Sequence, residues 1–385
     1  MSAAAGTASA SDPLHVYIVV GEESGDQLGA SLMRALREQH SGPIRFSGVG
    51  GEAMEREGMT SLFALSEIVA FGVVQIVAGL PRILRRIADV SVDILAKQPD
   101  VLVIVDSPDF THRVARRVRA RAPKIPIIDY VSPSVWAWRP GRARAMRRYI
   151  DHVLALLPFE PQAHRELGGP PCTYVGHPLS EQIATLRPNA EEQARRDTKP
   201  PVLLVLPGSR RGEIARLSGP FGEALNLLAT RGISTEIVLP TVPHVHAQVN
   251  EAVRNWRQRP RIVLDAAEKR AAFRSARAAL AASGTVTLEL ALAGVPTVAA
   301  YRVAPLEAWI ARRLIRVPTV ILANLVLGEN VVPEFLQEQC TPAALAGALV
   351  PLLGDTPERE RQCDAFARLD GVMEIATARP SERAA

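Results

Sequence analysis

The chain has 385 residues, 47% of them hydrophobic, more than one core usually supports, which argues for two domains of similar size. A formal charge of +5 and 5% aromatic content, with no zinc-finger spacing, RNP pattern or recognition-helix motif, argue against a nucleic-acid partner. Cys172, Cys340 and Cys363 lie too far apart for a disulfide framework or a zinc site and suit a reducing cytoplasm, and nowhere do eighteen consecutive apolar residues occur.

Met1 to Asp12 is rich in Ala and Ser but lacks a basic start and an apolar core, so residues 1–13 read as a disordered tail rather than a secretory signal. Val16 to Val20 is a predicted strand, and Gly21-Glu22-Glu23-Ser24-Gly25-Asp26 leads from it into a helix at about Gln27 to Glu38. The loop puts acids where a pyrophosphate would sit. Its carboxylates suit sugar hydroxyls instead, with Glu22 the candidate contact, while Ser24 or Asp26 equally fits a helix cap. Gly48-Val49-Gly50-Gly51, after a strand at Ile44 to Gly48, lacks the glycine spacing of a dinucleotide site, so hydride transfer is not expected.

Ile68 to Leu80 is nearly all apolar and runs into Pro81, Arg82, Arg85 and Arg86. Too short to span a bilayer, it has the pattern of an interfacial docking element. Phe71, Val73, Val74 and Ile76 would enter the interface, and Arg82, Arg85 and Arg86 would meet lipid phosphates. A buried core helix followed by a solvated one fits equally well.

Val101 to Val105 carries five apolar residues without alternation, as a strand buried on both faces does, and Pro108 then breaks the chain. Asp106 is left at the strand's carboxyl end, where open α/β sheets bind their ligands. It is the candidate general base; Asp109 precedes the helix near Phe110 to Ala120 and reads as its cap. Arg113, Arg116, Arg117, Arg119, Arg121 and Lys124 have no acid among them, and Arg139, Arg142, Arg144, Arg147 and Arg148 form a second basic cluster. Such clusters are solvated helix faces or attract phosphate, here on a lipid or a sugar.

After a strand at Ile125 to Tyr130, the polar stretch from Glu181 to Pro200 reads as a linker, set at 186–200 between domains at 14–185 and 201–350, with a helical segment and tail at 351–385. Strands are predicted at Val202 to Leu206, Thr235 to Leu239, Arg261 to Leu264, Ala278 to Ala282 and Thr297 to Tyr301. The fold class is therefore α/β, two Rossmann-like domains facing a cleft. Leu206-Pro207-Gly208-Ser209-Arg210 is a strand-to-helix turn suited to a pyrophosphate, and Ser283-Gly284-Thr285 opens another helix as a second anion site, with Glu289 one turn inside it. His244 and His246 lack accompanying ligands, so no metal and no cofactor are expected.

These residues, with Tyr130-Val131-Ser132-Pro133-Ser134-Val135-Trp136-Ala137-Trp138-Arg139, Leu157-Pro158-Phe159-Glu160, Val175-Gly176-His177-Pro178, Thr287-Leu288-Glu289 and Tyr301-Arg302, closely resemble the lipid-A-disaccharide synthase family, inverting glycosyltransferases of GT-B-like fold. The match runs from about Val16 to Leu353, with departures at Glu23, Gln75 and Ala323. The resemblance implies transfer of 2,3-diacylglucosamine from its UDP donor to the 6-hydroxyl of 2,3-diacylglucosamine 1-phosphate, giving a β-1,6 disaccharide and UDP. It implies an acceptor domain first and a UDP-sugar domain second, with Asp106 as base and Glu22, Ser209, Arg210, Ser283, Gly284, Thr285, Glu289 and Asn324 contacting substrate or UDP. Trp136, Trp138 and Arg139 stay off the catalytic set. It also implies a Gram-negative cytoplasm, peripheral attachment to the anionic inner membrane, and a homodimer exchanging C-terminal segments, with Leu345 to Leu353 taking part. Two alternatives stay open: another UDP-sugar enzyme of GT-B type, such as a peptidoglycan glycosyltransferase or an epimerase, and a non-catalytic UDP-sugar or lipid-binding module.

Overall fold

Short strands, most of them rich in Val, Ile, Leu and Ala and joined through helices, build two parallel sheets. A computed structural model of the chain describes residues 12–68, 73–375 and 378–385. The chain divides into two compact units, one holding the described chain up to Pro178 together with Ala378–Ala385, the other beginning at Leu179.

The first unit contains β1 (Leu14–Val20), β2 (Ile44–Val49), β3 (Val101–Val105), β4 (Ile127–Tyr130), β5 (His152–Ala155) and β6 (Cys172–Tyr174), ordered β2-β1-β3-β4-β5-β6. Side chains on β1 alternate between two cores. Tyr17 and Val19 join Leu102 and Ile104 on one face; Val16, Ile18 and Val20 join Val103 and Val105 on the other. The order reverses between β1 and β3, so the loops after these two strands emerge side by side at a topological switch point.

The second unit contains β7 (Val202–Leu206), β8 (Glu236–Pro240), β9 (Arg261–Val263), β10 (Ala278–Ala282), β11 (Thr297–Tyr301) and β12 (Glu334–Leu336), ordered β12-β11-β10-β7-β8-β9. Its switch point falls between β7 and β10, the strands that end at Pro207-Gly208-Ser209-Arg210 and at Ser283-Gly284-Thr285.

Two boundaries differ from the sequence reading. Residues 186–200 are not an open linker: Ala190–Arg196 is a helix capped by Asn189 and belongs to the second unit. Arg196, 4% exposed, donates to the carbonyls of Phe273, Arg274, Ala293 and Gly294, so four backbone acceptors depend on one guanidinium. The helical segment and tail expected at 351–385 divide between the two units. The helix Pro357–Val372 packs in the second unit, where Gln362 Oε1 accepts from Thr297 N at 2.8 Å. Pro380–Ala384 returns to the first, where Gln39 Nε2 donates to Glu382 O at 2.6 Å and Arg383 Nη2 to Tyr174 O at 2.9 Å.

Phe71 and the tail 1–11 lie outside the described residues. Val73, Val74 and Ile76 belong to the helix Val73–Lys97, which buries Ile87, Val90 and Ile94 in the first core. Arg82 and Arg85 are exposed. Arg86 departs from its expected role: it is half-buried, pairs with Glu67 and, at 3.0 Å, with Asp89, and stacks 4.7 Å from the Phe63 ring centroid, so its charge already has partners on the protein surface. No described helix is long and apolar enough to cross a membrane.

Candidate active site

The β1/β3 switch point brings the first-unit candidates together. Val20 and Val105 are paired at the strand ends, so Gly21 and Asp106 leave the sheet at the same level. A Cβ on Gly21 would lie 2.3 Å from Ser107 Cβ, so only glycine allows this approach. Asp106 and Ser107 both hold positive φ, 51° and 45°, a sparsely populated conformation for non-glycine residues. The turn is tied by Thr111 Oγ1 donating to Asp106 O at 2.6 Å and by Asp106 N donating to Tyr130 O at 3.1 Å.

Burial pushes the Asp106 carboxyl up to about 6, with the charge of Glu22 adding to the shift and a 2.7 Å hydrogen bond from Ser107 N opposing it. Glu22 lies at the start of the helix Glu23–Gln39 without capping it, and its Oε1 accepts from Ser24 Oγ at 2.8 Å. Two carboxyls thus interact at the ends of two neighbouring strands, which suits one of them to hold a proton close to neutral pH. Asp26 does a different job. Its buried carboxylate accepts from Gly51, Ala53 and Met54 N at 2.7, 2.9 and 3.1 Å, so it caps the following short helix and has no reach to sugar hydroxyls. Asp109 is not a cap either: the helix Thr111–Arg121 starts at Phe110 without a side-chain cap, and Asp109 stands 82% exposed beside Arg142 at 3.3 Å.

The Ser-Pro-Ser-Val-Trp-Ala-Trp-Arg string is held from behind by residues that sequence reasoning left without a role. Trp136 Nε1 donates to Glu160 Oε1 at 3.1 Å, and Leu157 N to Glu160 Oε2 at 2.9 Å. Glu160 is almost wholly enclosed, and burial pushes its carboxyl up to about 7. Ser132 Oγ meets His164 Nε2 at 2.8 Å, and Trp136 packs edge-on against Phe159. The Leu157-Pro158-Phe159-Glu160 motif is therefore the anchor of the string.

In the second unit, the turn after β7 is arranged around Glu213, a residue outside the motifs singled out in the sequence. Its Oε2 accepts from Ser209 N at 3.1 Å and Arg210 N at 3.2 Å, and Tyr301 OH donates to its Oε1 at 3.3 Å. His244 Nε2 donates to Ser209 O at 3.0 Å. Ser209 thus spends its backbone on the fold, and a carboxylate already occupies the amide nest expected for a phosphate. The Arg210 side chain is 79% exposed and touches Glu213 only at 3.5 Å, so it remains the phosphate-directed group of this turn.

After β10, Gly284 begins the helix Thr285–Leu292 without a side-chain cap, and Gly284 and Thr285 are exposed with Ser283 half-buried, leaving an open positive helix end. Glu289 has a partner inside the unit: Lys269 Nζ sits 2.9 Å from its Oε1, 20 residues upstream, which spacing alone does not disclose. Asn324 corrects the sequence reading. It is 2% exposed, its Oδ1 accepts from Val331 N at 3.0 Å and Val332 N at 2.8 Å, and its Nδ2 donates to Val332 O at 3.0 Å and Thr319 Oγ1 at 3.4 Å. With every donor and acceptor used, it clamps a loop rather than a nucleotide. Among the described residues, no three His, Cys, Asp or Glu side chains are grouped so as to hold a metal ion.

Two parallel α/β sheets with loops gathered at their switch points define the class that includes UDP-sugar epimerases and GT-B glycosyltransferases. UDP-GlcNAc 2-epimerase from Neisseria meningitidis bound to UDP-GlcNAc aligns over 94% of this chain and 98% of its own, with TM-score 0.61 and 12% identity. Acinetobacter baumannii MurG aligns over 94% and 99%, with TM-score 0.54 and 14% identity, so both likenesses concern the fold. The sequence narrows the class. A profile of the lipid-A-disaccharide synthetase family matches residues 16–382, and the chain belongs to that family. Lipid-A-disaccharide synthase of Rhodopseudomonas palustris strain BisB18 is 61% identical over 370 residues, 96% of this chain and 93% of that one. The Nitrobacter winogradskyi protein of the same name is 60% identical over 378 residues, 98% and 96%.

Proposed function

We propose that this chain joins two acylated glucosamines, moving 2,3-diacylglucosamine from UDP onto the 6-hydroxyl of 2,3-diacylglucosamine 1-phosphate to give the β-1,6 disaccharide 1-phosphate and UDP. The observation that carries the mechanism is the Asp106–Glu22 pair at the β1/β3 switch point, a carboxyl tuned to about 6. As the acceptor oxygen bonds to the anomeric carbon, its proton passes to Asp106 and the bond from that carbon to the UDP β-phosphate oxygen breaks, inverting the centre. Arg210 and the open helix start at Thr285 offset the charge arriving on UDP. Family membership supports this substrate pair, and the bound UDP-GlcNAc of the Neisseria epimerase supports a UDP-sugar donor. An assay with labelled donor tests it: acylated donor and acceptor should give a labelled disaccharide with one UDP released per product. Turnover of UDP-GlcNAc alone, without transfer between the acylated pair, would favour an epimerase instead.

Two further expectations belong to the leaving group. Activity should survive EDTA, since Arg210 and the helix start supply positive charge; loss on chelation with rescue by magnesium would contradict it. Arg210→Ala should weaken UDP binding about tenfold or more in calorimetry, the scale of one charge-assisted hydrogen bond, whereas Ser209→Ala should barely change it.

The acyl chains call for a cytoplasmic enzyme working at the inner membrane. Leu80 and Leu84, 42% and 38% exposed, continue the apolar stretch beside Arg82 and Arg85, which supports docking through this helix. A dimer with exchanged C-terminal segments, including Leu345 to Leu353, stays part of this reading.

A further inference from the structure

We propose that a pocket walled by Arg116, Arg119, Arg148 and Tyr149 in the first unit binds a phosphate group, carried by a small molecule or a lipid headgroup. Its volume of about 540 Å³ falls within the roughly 300–1,000 Å³ of small-molecule sites. Arg116 and Arg119 lie in the second half of the helix Thr111–Arg121, which leaves the carboxyl end of β3 and runs back along the sheet, and Tyr149 lies just before β5 begins. The pocket therefore sits toward the amino ends of the strands, away from Asp106.

Three features separate it from an ordinary solvated arginine face. The guanidiniums come from two segments of the chain and converge on one concavity. Arg116 is held in place: its Nη2 donates to Tyr149 OH at 3.1 Å, and its guanidinium carbon lies 4.7 Å from the ring centroid. Tyr149, 4% exposed, is itself fixed by His112 Nδ1 at 3.1 Å, and His112 Nε2 faces the buried Asp129 at 3.2 Å. The buried Tyr149 ring and hydroxyl, held by His112, thus fix the Arg116 guanidinium at the pocket wall before a ligand arrives. Finally, the charge is largely uncompensated. Asp151 pairs with Arg119, which also donates to Pro123 O, while Arg116 and Arg148 have no ion pair among the described residues. Two guanidiniums beside a tyrosine are a donor set for phosphate oxygens.

The test titrates the full chain with inorganic phosphate in excess UDP, so that the nucleotide side is filled. It also measures co-sedimentation with phosphatidylcholine vesicles with and without phosphatidylglycerol. Arg116→Gln/Arg148→Gln is compared with Arg113→Gln/Arg117→Gln, which removes equal charge from exposed positions outside the pocket. The pocket variant should lose about tenfold or more in affinity and the control less than about twofold. Saturable phosphate binding assigns a soluble ligand, and binding to the anionic vesicles alone assigns a lipid headgroup. The proposal is overturned if the unaltered protein binds neither probe, if the pocket variant binds like it, or if both variants weaken binding equally, the mark of a diffuse field.

Discussion

Asp106→Asn is expected to lower turnover by about two to four powers of ten while UDP binding stays nearly unchanged, because the change removes a proton acceptor and almost no volume. Asp109→Asn, at an 82% exposed position, should stay near full activity. Steady-state rates of both variants check this, and equal losses in two well-folded proteins would withdraw the assignment. The substitution should also stabilise the protein. Asp106 binds its proton more tightly folded than unfolded, its carboxyl rising from 3.8 to about 6, so the native state loses stability as pH climbs through that window. Asn escapes the loss. About two pKa units correspond to about 3 kcal/mol, so the variant should outlast the parent in urea at pH 8 and lose that advantage near pH 4.

Asn324→Ala is expected to destabilise the second unit by about 2 kcal/mol or more, since it strands the N–H and the carbonyl of Val332, a position 2% exposed, and leaves the Val331 N–H only the Glu329 carbonyl at 3.1 Å. Two compact units need not unfold together, so the informative readout is the transition reported from the second. UDP affinity of the folded fraction should be almost unchanged. A variant that unfolds like the parent yet loses UDP would return Asn324 to the nucleotide.

What the sequence discloses follows from how local each signal is. β3 is legible because five apolar residues in a row fit a strand covered on both faces, and Asp106 is legible because it ends that run. β5, β6 and β12 have three or four residues each, and the first two carry His152 and Thr173, which pair across the strands at 2.8 Å and dilute the apolar pattern. The roles of Arg196 and Asn324 are opposite failures of the same kind. A basic residue in a polar stretch looks solvated until carbonyls 77 to 98 positions away are brought to it. An asparagine in a family motif looks like a ligand contact until its own loop consumes its amide. Glu213 is legible in principle, because an acid at the third position of a helix is a capping pattern, but Arg210 and Arg211 beside it carry the competing signal of a phosphate site.

The most direct measurement of the central claim is the pH dependence of transfer, as kcat/KM, in the unaltered enzyme and in Glu22→Gln. With Asp106 as base, activity should rise with pH to a plateau, half-maximal near 6. Removing the Glu22 charge, which helps hold that carboxyl up, should move the midpoint to lower pH and leave the plateau level to reveal what Glu22 adds in binding. A profile flat from pH 5 to 8, or a midpoint that stays in place in Glu22→Gln, would contradict the assignment of proton transfer to this pair.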